Sequence, residues 1–358
     1  MAADDPTEPL LSTRLRNNNV EPVPSTPIPF PKRVIDFITV WTIKTIVRTY
    51  TTFLKLLSLL HLRPRPTLTK VYPCVPSVTA RIFLPPSPDA PAPSALPLLI
   101  SIHGGGFAIG DAVLDDGDAL AYARTHGIAV ASIGYRRGPR ARFPAAVDDV
   151  AALVEALLDD AALAAFVDRA RVAVCGYSAG GNLCLAATQL RGLRARVRAA
   201  VAFYPVVDFS LRHEDRVARA RVAGVPVDAP NQSFGWVRWA YVKEGQDLRD
   251  PLISPMFASR DRLPRKVCLI GCEHDMLCDE AERMAEKLAA EDGEGERRIE
   301  EGGNAWRTAN VRWEKVLGQP HAFNQIVIFG KKKRELAKRR TEQMHAEVAK
   351  WLFEEVFV

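Results

Sequence analysis

From residue 69 onward the chain alternates short, β-branched apolar runs with amphipathic helical ones. This rhythm constrains the fold more than any other feature of the sequence. Val78–Leu84, Leu98–His103, Ile128–Tyr135, Val172–Cys175, Ala199–Tyr204, Val267–Gly271 and Val311–Leu317 read as strands. Several are continuously apolar, as in a sheet buried on both faces. Between them Val113–His126, Pro144–Leu158, Ala179–Arg191 and Leu277–Ala290 read as helices, and Glu335–Phe357 reads as a closing helix. The pattern predicts an α/β fold with a mostly parallel sheet and helices on both faces. Residues 208–245 break the rhythm and cluster Phe234, Trp236, Trp239 and Tyr241 near their end; we expect an insertion above the strand ends. Residues 291–310 are polar and contain glycine, which predicts a surface loop.

The N-terminal part divides in two. Residues 1–32 are rich in Pro, Asn, Thr and acids and read as a disordered tail. Residues 33–62 are strongly apolar, yet Asp36, Lys44, Arg48 and Lys55 interrupt them. Each such charge costs about 2.5–3.5 kcal/mol near a bilayer centre, which argues against a membrane span. Lys44, Arg48, Thr52 and Lys55 recur at helical spacing, while Ile43, Ile46, Val47, Tyr50, Phe53, Leu54 and Leu57 take the other side. The segment therefore reads as an amphipathic helix, broken in two. It either packs on residues 63–358 as part of a cap or lies peripherally on a membrane surface.

Composition excludes little else. Hydrophobic residues make up 47% of 358, enough for a sizeable core. The net charge of +6 draws on Lys331, Lys332, Lys333, Arg334, Lys338, Arg339 and Arg340. No aromatic residue interrupts that run for base stacking, so we read a solvated helix face and expect no nucleic-acid partner. Cys268, Cys272, His274 and Cys278 lie close in sequence but lack the paired C-x₂-C spacing of structural zinc sites, so no metal is expected. Asp4 and Asp5 stand where a secretory signal needs positive charge, which favours an intracellular, cytoplasmic location.

Three motifs carry chemistry. Gly176-Tyr177-Ser178-Ala179-Gly180 follows a strand and opens a helix, so the serine sits on a sharp turn with its hydroxyl exposed. His103-Gly104-Gly105-Gly106-Phe107 ends an earlier strand. Its glycines free backbone N–H groups to face a developing oxyanion, with Gly105, Gly106 and the Ala179 amide as the expected donors. His103 itself is expected to fix that loop. A nucleophilic serine needs a base, and the base needs a carboxylate to set its tautomer. Asp275 follows the strand ending at Gly271, and His321 follows Val311–Leu317. Serine, acid and histidine thus each sit at a strand end.

These motifs, with Tyr135-Arg136, Phe143-Pro144-Ala145-Ala146-Val147-Asp148-Asp149, Asp250-Pro251-Leu252-Ile253-Ser254-Pro255 and Asp275-Met276-Leu277-Cys278-Asp279, resemble the hormone-sensitive-lipase-like family of α/β-hydrolase esterases over residues 70–355. The resemblance implies the α/β-hydrolase fold and the triad Ser178, Asp275 and His321. It also implies a cap built from 33–62 and 208–245. The implied activity is cofactor-free hydrolysis of a small-molecule ester through an acyl-enzyme. Amidase or formamidase activity, deacetylation of one specialised metabolite and a non-enzymatic ligand receptor of the same fold are the alternatives. The sequence departs from the family at Tyr177, where Asp is common, at Ala322, where Gly is usual, and at Arg137, Gly138 and Arg140.

Overall fold

The computed structural model describes residues 21–86, 95–219, 229–293, 295–326, 328 and 330–358. Its strands are β1 (Leu68–Lys70), β2 (Ala80–Phe83), β3 (Leu96–Ile102), β4 (Ala129–Ile133), β5 (Val167–Tyr177), β6 (Ala199–Phe203), β7 (Lys266–Cys272), β8 (Arg298–Ile299), β9 (Ala305–Arg307) and β10 (Val311–Val316). They join in one sheet, in the order β1-β2-β4-β3-β5-β6-β7-β10-β9-β8. The six central strands from β4 to β10 run parallel, and both margins are antiparallel.

The helices are α1 (Phe30–Leu59), α2 (Asp116–His126), α3 (Ala145–Asp159), α4 (Ala179–Ala187), α5 (Leu193–Arg196), α6 (His213–Arg219), α7 (Ala229–Tyr241), α8 (Cys278–Glu291) and α9 (Lys331–Trp351). Strand periodicity sorts the core into two layers. Leu98, Ile100 and Ile102 of β3 share a cluster with Leu153 of α3, Leu183 of α4 and Met284 of α8. Leu99 lies in the other cluster, with Tyr122 of α2 and Met344 and Val348 of α9. Covered on both faces, β4 and β6 can be apolar almost throughout, as their sequences AVASI and AAVAF are.

The structure departs from the sequence reading at the margins. Residues 291–310, expected as loop, contain β8 and β9, and Trp306 of β9 pairs with Trp313 of β10. Pieces of two and three residues are too short to show a period. The closing helix starts at Lys331, four residues before Glu335, because solvated lysines are good helix formers. Residues 21–29, expected within the disordered tail, are tied to the body: Val23 and Ser25 exchange backbone hydrogen bonds with residues 245–248. The rest of that tail, residues 1–20, lies outside the described residues, as does the side chain of Phe234.

Helix α1 differs most. It is one unbroken helix of 30 residues with Pro31 in its first turn, not a helix in two pieces. Its buried positions are Asp36, Val40, Thr51, Leu54 and Ser58, whereas Ile46, Tyr50 and Phe53 are exposed. The expected apolar seam faces the body only in part: Leu54 is buried and Ile43, Val47 and Leu57 are half-buried. Lys44 faces inward as well: its Nζ donates to the carbonyls of Ala108 at 2.8 Å and Gly138 at 2.6 Å. Burial, with Arg137 and Arg140 nearby, pushes the Lys44 ammonium down to about 8. Val40 packs with Ala108 and Trp239, and Phe37 meets Trp239 edge-on at 6.3 Å. No helix among the described residues is long and apolar enough to cross a membrane.

Candidate active site

The parallel strands deliver their functional side chains to one edge of the sheet, at the carboxyl ends. Strand β5 ends at Tyr177, whose ring stacks on Phe203 with centroids 4.6 Å apart. Ser178 follows with φ 53° and ψ −114°, and α4 begins at once. A non-glycine residue pays for a positive φ, so packing on both sides must hold this turn. The flanking glycines allow that packing: a Cβ at Gly176 would collide with the Gly180 carbonyl, and one at Gly180 with the Ile102 carbonyl.

The loop after β3 runs beneath the same edge. Gly105 and Gly106 have φ of 116° and 56°, and a Cβ on Gly106 would come within 2.7 Å of Val237 Cγ2. His103 is buried beneath the loop. Its ring stacks on Tyr135 at 4.5 Å, and its Nδ1 lies 2.7 Å from the Gly104 carbonyl. Burial, with Arg137 nearby, pushes this imidazole down to about 4. It lines a separate polar recess with Lys55, Asp111 and Arg137, away from Ser178.

Asp275 and His321 are brought together by backbone pairing between the loops that follow β7 and β10. The Glu273 N–H donates to the Val316 carbonyl at 3.1 Å, and the His274 N–H donates to the Gln319 carbonyl at 3.0 Å. His321 Nδ1 then lies 2.6 Å from Asp275 Oδ2, and its Nε2 lies 2.9 Å from Ser178 Oγ. Asp275 is fully buried, and its second oxygen accepts from the Leu277 N–H at 2.9 Å. The neighbouring acids point elsewhere. Glu273 accepts from the Gly318 N–H, and Asp279 faces Arg219 and Arg283. Ala322, where the resemblance leads one to expect glycine, has φ 55°. The turn therefore needs left-handed backbone there, at a cost of roughly 1–2 kcal/mol for a residue with a Cβ.

Residues that the sequence reading did not single out hold the histidine loop. Asn324 Nδ2 donates to Asp118 Oδ2 at 3.0 Å, and the Tyr204 hydroxyl donates to Asn324 Oδ1 at 2.6 Å. Gln325 Nε2 donates to Asp115 Oδ1 at 3.0 Å. Asp115 is buried, and its carboxyl is raised well above the usual range by burial and then by Asp118. Burial pushes Asp118 up to about 7, against the hydrogen bonds from Gln325 and Asn324. Nothing local in the sequence marks these residues, because the partners are more than 100 positions apart.

A cavity of about 300 Å³ opens over Ser178. Gly104, Gly105, Gly106, Ala179 and His321 border it together with the serine. Its walls are largely apolar and include Val47 of α1, Trp236 and Val237 of α7, and Leu277. Thus five of the six residues expected at the site border the cavity, and the sixth, Asp275, stands behind His321. Among the described residues no group of three or more His, Cys, Asp or Glu side chains could hold a metal ion.

Comparison with known proteins adds relatives. Residues 99–304 match the model of a family described as alpha/beta hydrolase fold. An ethyl acetate hydrolase of Pseudomonas putida is 33% identical over 217 residues, which cover 59% of this chain and 65% of the relative. Neutral cholesterol ester hydrolase 1 of Rattus norvegicus is 35% identical over 277 residues, covering 59% and 67% respectively. The chain spans about 53–65% of the length of the first curated relatives it matches. Among solved structures, an esterase of Pyrobaculum calidifontis superposes with a TM-score of 0.65 at 24% identity, over 90% of this chain and 99% of that one. At that identity the likeness is one of fold.

Proposed function

This chain belongs to the alpha/beta hydrolase fold family, in its hormone-sensitive-lipase-like branch, and from that premise we propose that it is a serine carboxylesterase acting on small to medium acyl esters. The observation that carries the reading is the hydrogen-bonded chain Ser178–His321–Asp275 beneath an apolar cavity. In this mechanism His321 Nε2 takes the Ser178 hydroxyl proton as Oγ attacks the ester carbonyl carbon. Asp275 fixes the tautomer with Nδ1 protonated and stabilises the imidazolium. The oxyanion is met by the N–H groups of Gly105, Gly106 and Ala179, each worth roughly 3–4 kcal/mol in the transition state. His321 then returns its proton to the departing alkoxide and leaves an acyl-serine. Water, deprotonated by the same imidazole, releases the acid and restores Ser178. The reaction consumes one water and requires no cofactor or metal.

The cavity volume suits a small to medium ester, and its apolar walls offer little to a charged one. The intact base favours turnover over mere ligand binding. The test is a panel of aryl esters of rising acyl length, run beside Ser178→Ala and organophosphonate labelling. Turnover that peaks at short to medium chains, with the label on Ser178, is the expected result. A label that maps to another residue would refute the reading. The absence of a disulfide among the six cysteines supports a reducing, intracellular setting; recovery of the active protein from the medium of intact cells would overturn it.

A further inference from the structure

Helix α1 seats a mixed face on the body and leaves an apolar one outward. At 3.6 residues per turn, Lys32, Arg33, Asp36, Lys44, Arg48 and Lys55 all fall within about 80° of the fully buried Val40. Several are engaged there: Lys44 with the Ala108 and Gly138 carbonyls, Lys55 with Asp111 at 2.7 Å, and Lys32 with Asp36 at 3.2 Å. The opposite side of the helix carries no charge. Ile35, Ile38, Ile46, Phe53 and Leu56, with Thr42 and Thr49 between them, form a row roughly 30 Å long at 1.5 Å per residue. These five apolar side chains are between 50% and 63% exposed. The seat itself uses Val40 and Leu54, which are buried, and Val47, which borders the cavity, so the outer row is apolar surface beyond what holds the helix to the body.

The charge around this row says what covers it. Residues 30–65 contain seven basic residues (Lys32, Arg33, Lys44, Arg48, Lys55, Arg63 and Arg65) and a single acid, Asp36, a net of +6. Lys331, Lys332 and Lys333, which open α9, are exposed as well. A second copy seated on the row would press one such cluster against another. An anionic lipid surface would complement both the apolar row and its basic flanks.

We propose that the outward face of α1 adsorbs to an anionic bilayer surface, with the helix lying in the plane of the interface. The row sinks toward the acyl chains, and the exposed Arg48 and Arg65 meet the headgroups. The same helix lines the cavity through Val47, so adsorption holds the roof of the site against the membrane. The binding itself does not depend on the esterase reading.

The test is flotation of the full chain with vesicles of mixed phosphatidylcholine and phosphatidylserine, and with phosphatidylcholine alone. The expected result is binding to the mixed vesicles that weakens with salt and is at least about tenfold weaker on phosphatidylcholine alone. Ile46→Asp with Phe53→Asp should reduce it by at least about tenfold, since both side chains leave the interface. Hydrolysis of a soluble aryl ester should remain within about twofold, because neither side chain borders the cavity. If ester turnover is absent but vesicles still bind, the esterase reading fails and this one stands. No flotation on mixed vesicles overturns the proposal. So does a dimer that the double variant dissociates, which assigns the face to a second copy. So does binding that appears only after residues 1–20 are removed, which assigns it to that segment.

Discussion

Three carboxylates lie within seven residues of the strand that ends at Cys272, and only one reaches His321. Asp275→Asn keeps the shape but accepts the wrong tautomer, and should cost roughly 10²–10⁴ in kcat. Glu273→Gln and Asp279→Asn should each stay within about tenfold, since their charges serve a loop amide and exposed arginines worth about 0.3–1 kcal/mol. Steady-state kinetics on one aryl ester compares all three, and a crippled Asp279→Asn beside a healthy Asp275→Asn would show the wrong acid was chosen. The pH profile tests the base. Protonated His321 cannot accept the serine proton, so kcat/KM should fall on acidification. His103, held down to about 4 by burial, stays neutral in the ordinary assay range, whereas Asp118, pushed up to about 7 on the clamp of the His321 loop, adds an ionisation there. A profile flat through mildly acid pH would require another base. The three side chains that the structure brings together, Ser178, His321 and Asp275, are legible in the sequence because each follows a strand. The groups that hold them are not. Asn324, Gln325, Asp115 and Asp118 meet only because the loop after β10 reaches across to the turn that opens α2, and no local pattern records that.

At the scale of elements, the loop from His321 to Ile326 behaves as a clamped unit. Asn324→Ala removes the partner of Asp118 and Tyr204 and should loosen His321. The expected effect is a fall in kcat of about tenfold or more with KM little changed, as for a positioning group acting through the base. A change confined to KM would contradict it. Asp118 also sets a pH dependence of stability. Its carboxyl is raised from 3.8 to about 7, so the folded protein holds a proton that the unfolded chain releases. The contribution is present in full below about pH 4 and is lost as pH rises toward about 7. Asp118→Asn should therefore gain stability relative to wild type between pH 5 and pH 8, by on the order of 1 kcal/mol or more, in denaturant titrations at both values. An unchanged difference would mean that the carboxylate is already ionised at pH 5. Helix α1 teaches a separate lesson. Periodicity reveals two faces but not which one turns inward. The inward face is mixed here: Val40 and Leu54 are buried on it, but the seat also presents the carbonyls of Ala108 and Gly138 and the Asp111 carboxylate, all of which bind cations.

For the molecule as a whole, the alternation of strand and helix was enough to predict the parallel centre and its two helical layers. At its antiparallel margins only β2 is legible, within Val78–Leu84; β1, β8 and β9, of two or three residues each, carry no signal of that kind. The N-terminal helix joins the cavity wall to the glycine loop, so truncation should be felt at the site. Removing residues 1–62 takes away Val47 and the Lys44 bonds and should lower kcat/KM or solubility, whereas removing 1–20 should leave hydrolysis of a soluble ester unaltered. Equal kinetics in the longer truncation would show that the helix does not shape the cavity. The serine also lies 143 positions before its base. During synthesis, therefore, Ser178 leaves the ribosome and can fold onto its turn long before any imidazole exists to activate it. A chain cut short anywhere before residue 321 carries an inert alcohol, and a growing one cannot attack esters around it. On the proposed reading, the serine gains its base only once the chain has grown past residue 321 and that loop has met the sheet.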